Sequence, residues 1–107
     1  MEMIEYQQRA QRTSNTKLPS EKIENGVLGL CGESGEVAEL YKKYLYQDHG
    51  FDKKAVIAEL GDVLWYCAEL AEGLGVTLEE VAWANVEKLR KRYPDGFEAK
   101  RSEEREG

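Results

Sequence analysis

A chain of 107 residues, 34% of them charged and with a net charge of −6, has the length for one domain with a modest core. Its acidic balance, with a pI near 4.9, excludes a basic nucleic-acid-binding face and implies that a phosphorylated ligand arrives with metal ions. No apolar run reaches the length of a membrane span, Met1-Glu2-Met3 does not read as a signal peptide, and Cys31 and Cys67 read as small buried thiols of a reducing cytoplasm.

Residues 2–13 form a Gln-rich segment with Ile4, Tyr6 and Ala10 as a sparse apolar side, which predicts a short helix held by tertiary contacts. A polar loop over 13–19 follows. Pro19-Ser20-Glu21 reads as a helix start with Ser20 as N-cap. Val27, Leu30, Val37, Leu40, Tyr41 and Tyr44 carry that helix to about Tyr46, and Asp48-His49-Gly50 breaks it. A third helix runs from about Lys53 to Leu74 on Val56, Ile57, Leu60, Val63, Leu64, Cys67, Leu70 and Ala71, ended by Gly73 and Gly75. Thr77 with Glu80 is a capping-box signature, and a fourth helix continues to about Tyr93. Pro94-Asp95-Gly96 is a turn, and a charged tail begins at about 98. Nothing reads as a strand. The expectation is a single all-α domain over 1–107, a bundle of four to five helices.

Two stretches repeat one pattern. Glu33-Ser34-Gly35-Glu36-Val37 and Glu59-Leu60-Gly61-Asp62-Val63 each carry carboxylates at i and i+3, with a glycine just before the second. Residues three apart share a helix face, so each copy presents a side-by-side acidic pair. Glu33 falls within the apolar stripe of its helix and Glu36 on its margin, while Glu59 and Asp62 take similar places on theirs. A partly buried group of like charges requires a neutralising cation. The mid-helix glycines Gly35 and Gly61 each cost roughly 0.5–1 kcal/mol relative to alanine, which predicts close approach of a backbone or ligand there. All four donors are oxygens, and neither pair has a histidine at the i+3 place. Mg²⁺, or Mn²⁺ in its stead, suits that set better than zinc or a di-iron centre. His49, in the loop, reads as a surface residue.

Magnesium held by carboxylates commonly serves a phosphate, and cationic groups share the relevant faces. Lys43 stands seven residues beyond Glu36, and Asn85, Lys88 and Arg92 recur at i, i+3 and i+7 on the fourth helix. They read as phosphate contacts, with Lys88 and Arg92 alternatively pairing with the carboxylates of a neighbouring helix. Tyr66 and Trp65, aromatics at helical spacing, read as core residues, and Trp65, off the main stripe, fits a subunit interface as well. The chemistry left by this inventory is metal-activated water attacking phosphorus.

Three segments then resemble the MazG-like nucleotide pyrophosphohydrolases. They are Gly29-Leu30-Cys31-Gly32-Glu33-Ser34-Gly35-Glu36-Val37-Ala38-Glu39, Glu59-Leu60-Gly61-Asp62-Val63-Leu64-Trp65-Tyr66, and Asn85-Val86-Glu87-Lys88-Leu89-Arg90-Lys91-Arg92-Tyr93-Pro94. The likeness runs from the Glu5-Tyr6-Gln7 opening to Gly96-Phe97 and the tail with Ser102 and Arg105. Gly32 stands where the family's first motif often has another glutamate. The resemblance implies an all-α fold assembling as a homodimer or homotetramer, with neighbouring subunits completing the site. It also implies Mg²⁺-dependent cleavage of nucleoside triphosphates between the α and β phosphates, giving a monophosphate and pyrophosphate and clearing unwanted nucleotides. On that pattern Glu33, Glu36, Glu59 and Asp62 hold the metal. Glu36, or Glu33 in its place, activates water, while Lys43, Tyr66, Asn85, Lys88 and Arg92 bind substrate. Two other readings stand beside it: a helical module that binds a protein partner, and a metal-dependent phosphatase releasing single phosphates.

Overall fold

The computed structural model describes residues 1–97 and consists of four helices: α1 (Met3–Gln11), α2 (Pro19–Tyr46), α3 (Lys53–Gly73) and α4 (Leu78–Arg92). The fold is all-α, and among the described residues no strand forms. The charged tail from 98, with Ser102 and Arg105, lies outside the described residues.

Local chemistry sets the boundaries. The α2 helix opens at Pro19 itself, whose missing N–H costs nothing at a first helical position. Glu21 Oε1 accepts the backbone N–H groups of Lys17 (3.0 Å) and Leu18 (2.9 Å). This corrects the expected Ser20 cap: Ser20 lies inside the helix, and the carboxylate one residue on performs the capping. At α3, Asp52 Oδ1 accepts the N–H of Ala55 at 3.1 Å. The predicted capping box of α4 forms in both directions, Thr77 Oγ1 with the Glu80 N–H and Glu80 Oε2 with the Thr77 N–H, each 3.1 Å. Gly75, at φ 74°, makes the left-handed turn that leaves α3.

The dominant packing is α2 against α3. They run antiparallel, with Ile23 against Gly73, Gly26 against Leu70, Gly29 against Tyr66, and Glu33 against Glu59 and Asp62. Glycine makes this closeness possible. A Cβ on Gly26 would lie 2.7 Å from Leu70 Cβ and 2.9 Å from Leu70 backbone atoms, and one on Gly29 would overlap the Tyr66 ring. Around Gly35 and Gly61, by contrast, the space is open. The expected close approach inside the chain therefore falls at Gly26, Gly29 and Gly73, because the tight part of the crossing lies toward the start of α2.

The α1 helix closes one end of this hairpin. Ala10 packs with Ala68, Ala71 and Leu78 as the buried apolar centre, flanked by Tyr6, Trp65, Cys67 and Val76. Gln7 is buried with its amide fully used. Its Nε2 donates to Glu72 Oε2 (2.8 Å) and the Val76 carbonyl (3.0 Å), and its Oε1 accepts the Leu78 N–H (2.7 Å) at the start of α4. The Gln-rich segment thus serves structure, joining α1 to α3 and α4.

Glu69 on α3 is fully buried. Its carboxylate accepts from Gln11 Nε2 (2.8 Å), Ser14 Oγ (2.9 Å), Thr16 Oγ1 (2.8 Å) and Asn25 Nδ2 (2.9 Å), with Lys22 Nζ 3.7 Å away. Burial by itself would raise its pKa. The hydrogen bonds from Gln11, Asn25, Thr16 and Ser14 together win and lower it from 4.5 to about 2.

The buried apolar set is small for so many apolar side chains. Val27, Leu28, Ile57, Leu60, Trp83 and Tyr46 are all more than half exposed, and Cys31, expected to be buried, is exposed too. The radius of gyration is 16.8 Å, against about 13 Å for a compact chain of this length.

Because the folded pKa of Glu69 is depressed, its contribution is complete above pH 4.5 and is lost as the pH falls toward 2. Glu69→Gln is expected to lower stability at pH 7 by about 2–4 kcal/mol. Denaturant titrations should show that gap shrinking across the acid window; a gap independent of pH contradicts the assignment.

Candidate functional site

The antiparallel α2–α3 pairing sets one turn of each helix side by side, and three carboxylates converge there. Glu33, Glu59 and Asp62 each offer an oxygen, all within 4.8 Å of one another; Glu33 and Glu59 are half-buried and Asp62 is exposed. The Glu33 carboxyl is held above the usual carboxylate range. Its hydrogen bond to Glu59 is the main cause, followed by partial burial and the charges of Glu59, Asp62 and Glu36. The charge of the trio is thus unfavourable by itself, which is the electrostatic condition a cation relieves. Three convergent hard oxygen donors with open space beside them fit a divalent ion that keeps some of its water, as Mg²⁺ does.

Glu36 stands one turn beyond Glu33, exposed and outside this trio, yet near enough for its charge to act on Glu33. The structure thus gathers three of the four predicted ligands and leaves the fourth at the margin.

A pocket of about 460 Å³ opens beside the trio, lined by Thr13, Glu33, Asp62, Trp65 and Tyr66. Its volume falls in the range of small-molecule sites. The Trp65 and Tyr66 rings meet edge to face, centroids 5.0 Å apart at 81°. Tyr66 lies against Gly29, so the glycine that lets the helices approach also makes room for this ring. Trp65 Nε1 donates to Thr13 Oγ1 (2.8 Å) and to the Ala10 carbonyl (3.1 Å), which locks the indole against α1. Among its predicted roles, Trp65 combines packing with lining the pocket.

The other predicted contacts do not line this pocket within one chain. Lys43 borders a second cleft with Leu40, His49, Phe51, Asp52 and Val56, at the far end of the hairpin. Ten residues separate it from Glu33, about 15 Å along the helix. Asn85 and Lys88 are exposed on α4, and Arg92 is half-buried at its end. The sequence shows Thr13 only as the start of a polar loop and Gly29 without a role, and it gives no sign of Glu69 as a functional residue. The available signal was Gly26 and Gly29, three apart and just before Glu33, a small-residue stripe leading into the acidic pair.

The architecture defines a class: an all-helical hairpin presenting an oxygen-donor site beside an aromatic-walled pocket. Residues 21–97 match the model of the MazG nucleotide pyrophosphohydrolase domain, and the chain belongs to that family. Over 73 residues it is 42% identical to the Gene 37 protein of Mycobacterium phage L5, a match covering 64% of each chain and so just under two thirds of the phage protein. It is 37% identical over 73 residues to the uncharacterized protein YvdC of Bacillus subtilis (strain 168), covering 60% of this chain and 69% of that one. No solved structure matches the chain significantly.

The raised Glu33 pKa means that ionising the trio costs the folded state: stability falls as pH rises through that pKa. Removing the main cause should reverse the order of stabilities with metal. In metal-free buffer at pH 7, Glu59→Gln should melt at or above wild type; with millimolar Mg²⁺, wild type should gain several degrees and the variant much less. Equal gains in both, measured by calorimetry, would remove Glu59 from any metal site.

Proposed function

We propose that the chain is a Mg²⁺-dependent hydrolase that cleaves nucleoside triphosphates between the α and β phosphates, releasing a nucleoside monophosphate and pyrophosphate and clearing unwanted nucleotides. The observation carrying this reading is the convergence of Glu33, Glu59 and Asp62 at the edge of the aromatic-walled pocket, in a chain of the MazG family. Those three residues, with Glu36 at the margin, would hold one or more Mg²⁺ ions. A divalent ion held by them would supply positive charge to offset the phosphates and Lewis acidity to favour loss of a proton from water.

The chain's own residues do the rest. Glu36, exposed one turn from Glu33, orients a water and takes its proton; Glu33 is the alternative base. The elements of water add across the α–β anhydride, and the pyrophosphate departs. Tyr66, packed on Gly29, walls the nucleoside side. Lys43, Asn85, Lys88 and Arg92 stabilise the phosphates; since they stand away from the pocket in one chain, they act from a neighbouring subunit or on the distal phosphates.

Assembly as a homodimer or homotetramer belongs to the same reading. Ile57, Leu60, Gly61, Val63, Leu64 and Cys67 form an open apolar groove of about 350 Å³ on α3. Among the described residues nothing lies within 4 Å of a Cβ placed on Gly61. A mid-helix glycine with open space at an apolar face is what close docking of another copy requires. The cytoplasm suits the two unpaired thiols. No described helix is long and apolar enough to cross a membrane. The exposed apolar faces also fit a non-enzymatic partner-binding module, which should gain no melting temperature from Mg²⁺.

The test is incubation with Mg²⁺ and a panel of ribo- and deoxynucleoside triphosphates. Pyrophosphate is the expected product, with kcat/KM falling about 100-fold or more in Glu59→Gln. Orthophosphate as the only phosphorus product would reject α–β cleavage, and full activity in Glu36→Gln would remove Glu36 as base. Leu60→Asp should reduce the mass measured by light scattering to that of one chain and abolish turnover; an unchanged mass places the subunit contact elsewhere.

A further inference from the structure

Among the described residues Glu69 is the one fully buried acidic side chain, and the chemistry above makes no use of it. Its partners converge from the end of α1, the connection that follows, and the first turns of α2. Ser14 and Thr16 belong to the α1–α2 connection, Gln11 closes α1, and Asn25 and Lys22 lie early on α2. Lys22 Nζ also donates to Gln11 Oε1 (2.7 Å) and to Thr16 Oγ1 (3.1 Å) and its carbonyl (3.2 Å), closing a ring of polar contacts around the connection. Thr13, next to Ser14, accepts from Trp65 Nε1 at 2.8 Å and lines the carboxylate pocket. Trp65 lies four residues before Glu69 on the same face of α3. A continuous path thus runs from the buried carboxylate through Ser14 and Thr13 to the indole at the pocket wall.

We propose that Glu69 is a positioning residue: its carboxylate holds the α1–α2 connection so that Thr13 and Trp65 form the wall against which the nucleoside part of the substrate binds. The inference rests on the pyrophosphohydrolase reading and deepens it. Backbone bonds from the Thr13 and Ser14 N–H groups to the Ala10 and Gln11 carbonyls (each 3.1 Å) tie the start of the connection to α1, and the Glu69 carboxylate ties Ser14 and Thr16 to α3. A carboxylate offers about four acceptor sites, and the side chains of Gln11, Ser14, Thr16 and Asn25 occupy them. A glutamine there would turn an amide NH₂ toward groups that are themselves donors, so at least one would lose its partner. The pocket is also divided by chemistry. Glu33 and Asp62 repel phosphate except through a cation, whereas the Trp65 and Tyr66 rings offer flat apolar surface to a base or sugar. None of Glu69's hydrogen-bond partners belongs to the trio of carboxylates. Disturbing Glu69 therefore loosens the nucleoside wall and leaves the metal and water-handling groups in place.

The test uses the full chain with Trp83→Phe as background, leaving Trp65 as its single tryptophan. Two variants are compared, Glu69→Gln and the milder Ser14→Ala, which removes a donor while keeping the buried charge. In both, Trp65 emission should shift to the red and acrylamide quenching should rise. KM for the best triphosphate should increase about tenfold, kcat should stay within about twofold, and the Mg²⁺-induced gain in melting temperature should be retained. A lower melting temperature with unchanged quenching and unchanged KM overturns the proposal, leaving Glu69 a purely structural anchor. Should Glu69→Gln not fold, Ser14→Ala decides by the same readings. If the background protein releases no pyrophosphate from any triphosphate, the function reading fails and takes the nucleoside assignment with it. The positioning claim is then settled by fluorescence alone, and unchanged quenching in Ser14→Ala rejects it.

Discussion

The closeness of α2 and α3 is the constraint on which the remainder of the structure depends. Three glycines, Gly26 and Gly29 on α2 and Gly73 on α3, let the backbones meet where any side chain would collide. That contact sets the antiparallel register, and the register places Glu33 opposite Glu59 and Asp62. It also leaves a slot for Tyr66 over Gly29, so the aromatic wall and the acidic trio share one origin. Each helical glycine costs roughly 0.5–1 kcal/mol in propensity, and the interhelical packing it permits offsets that cost.

Two glutamates on neighbouring elements show how surroundings decide the behaviour of one chemical group. Glu33 faces other carboxylates and holds its proton more tightly. Glu69, although far more buried, faces amides, hydroxyls and an ammonium, and gives its proton up more readily. Desolvation pushes both the same way, so the sign of the net effect comes from whether the neighbours are acceptors or donors. The first arrangement leaves like charges facing one another, which suits a site that attracts positive charge. The second is satisfied within the chain, which suits a structural anchor.

The distribution of apolar surface carries a further message. The described helices bury only four apolar side chains, Ala10, Ala68, Ala71 and Leu78, while α3 and α4 expose Ile57, Leu60, Val81, Trp83 and Val86. Helices of this length draw most of their stability from packing rather than propensity. The chain is more extended than its length predicts and bears exposed apolar stripes on two helices, surface that the described residues themselves leave uncovered. Lys43, Asn85 and Lys88, separated from the pocket within one chain, are consistent with the same geometry.

The sequence by itself determined the helical class, the four elements to within two residues at each end, the capping box at Thr77 and Glu80, and the acidic pairs at i and i+3. All of these follow from chemistry local in the chain: periodicity, caps, and the 3.6-residue turn that puts Glu59 and Asp62 on one face. It misplaced what depends on neighbours distant in sequence. Ser20 resembles a cap by residue type, but Pro19 takes the first helical position and Glu21 reaches back to the Lys17 and Leu18 N–H groups. Gly35 and Gly61 looked like contact points because glycine's cost is visible in a sequence and its neighbour is not. Only the tertiary structure decided that Gly29 takes up Tyr66, that Glu36 stands outside the trio, and that Glu69 gathers donors from α1, the connection and α2. Those outcomes depend on the register of one helix against another, a quantity set by the packed pair and by neither strand of sequence alone.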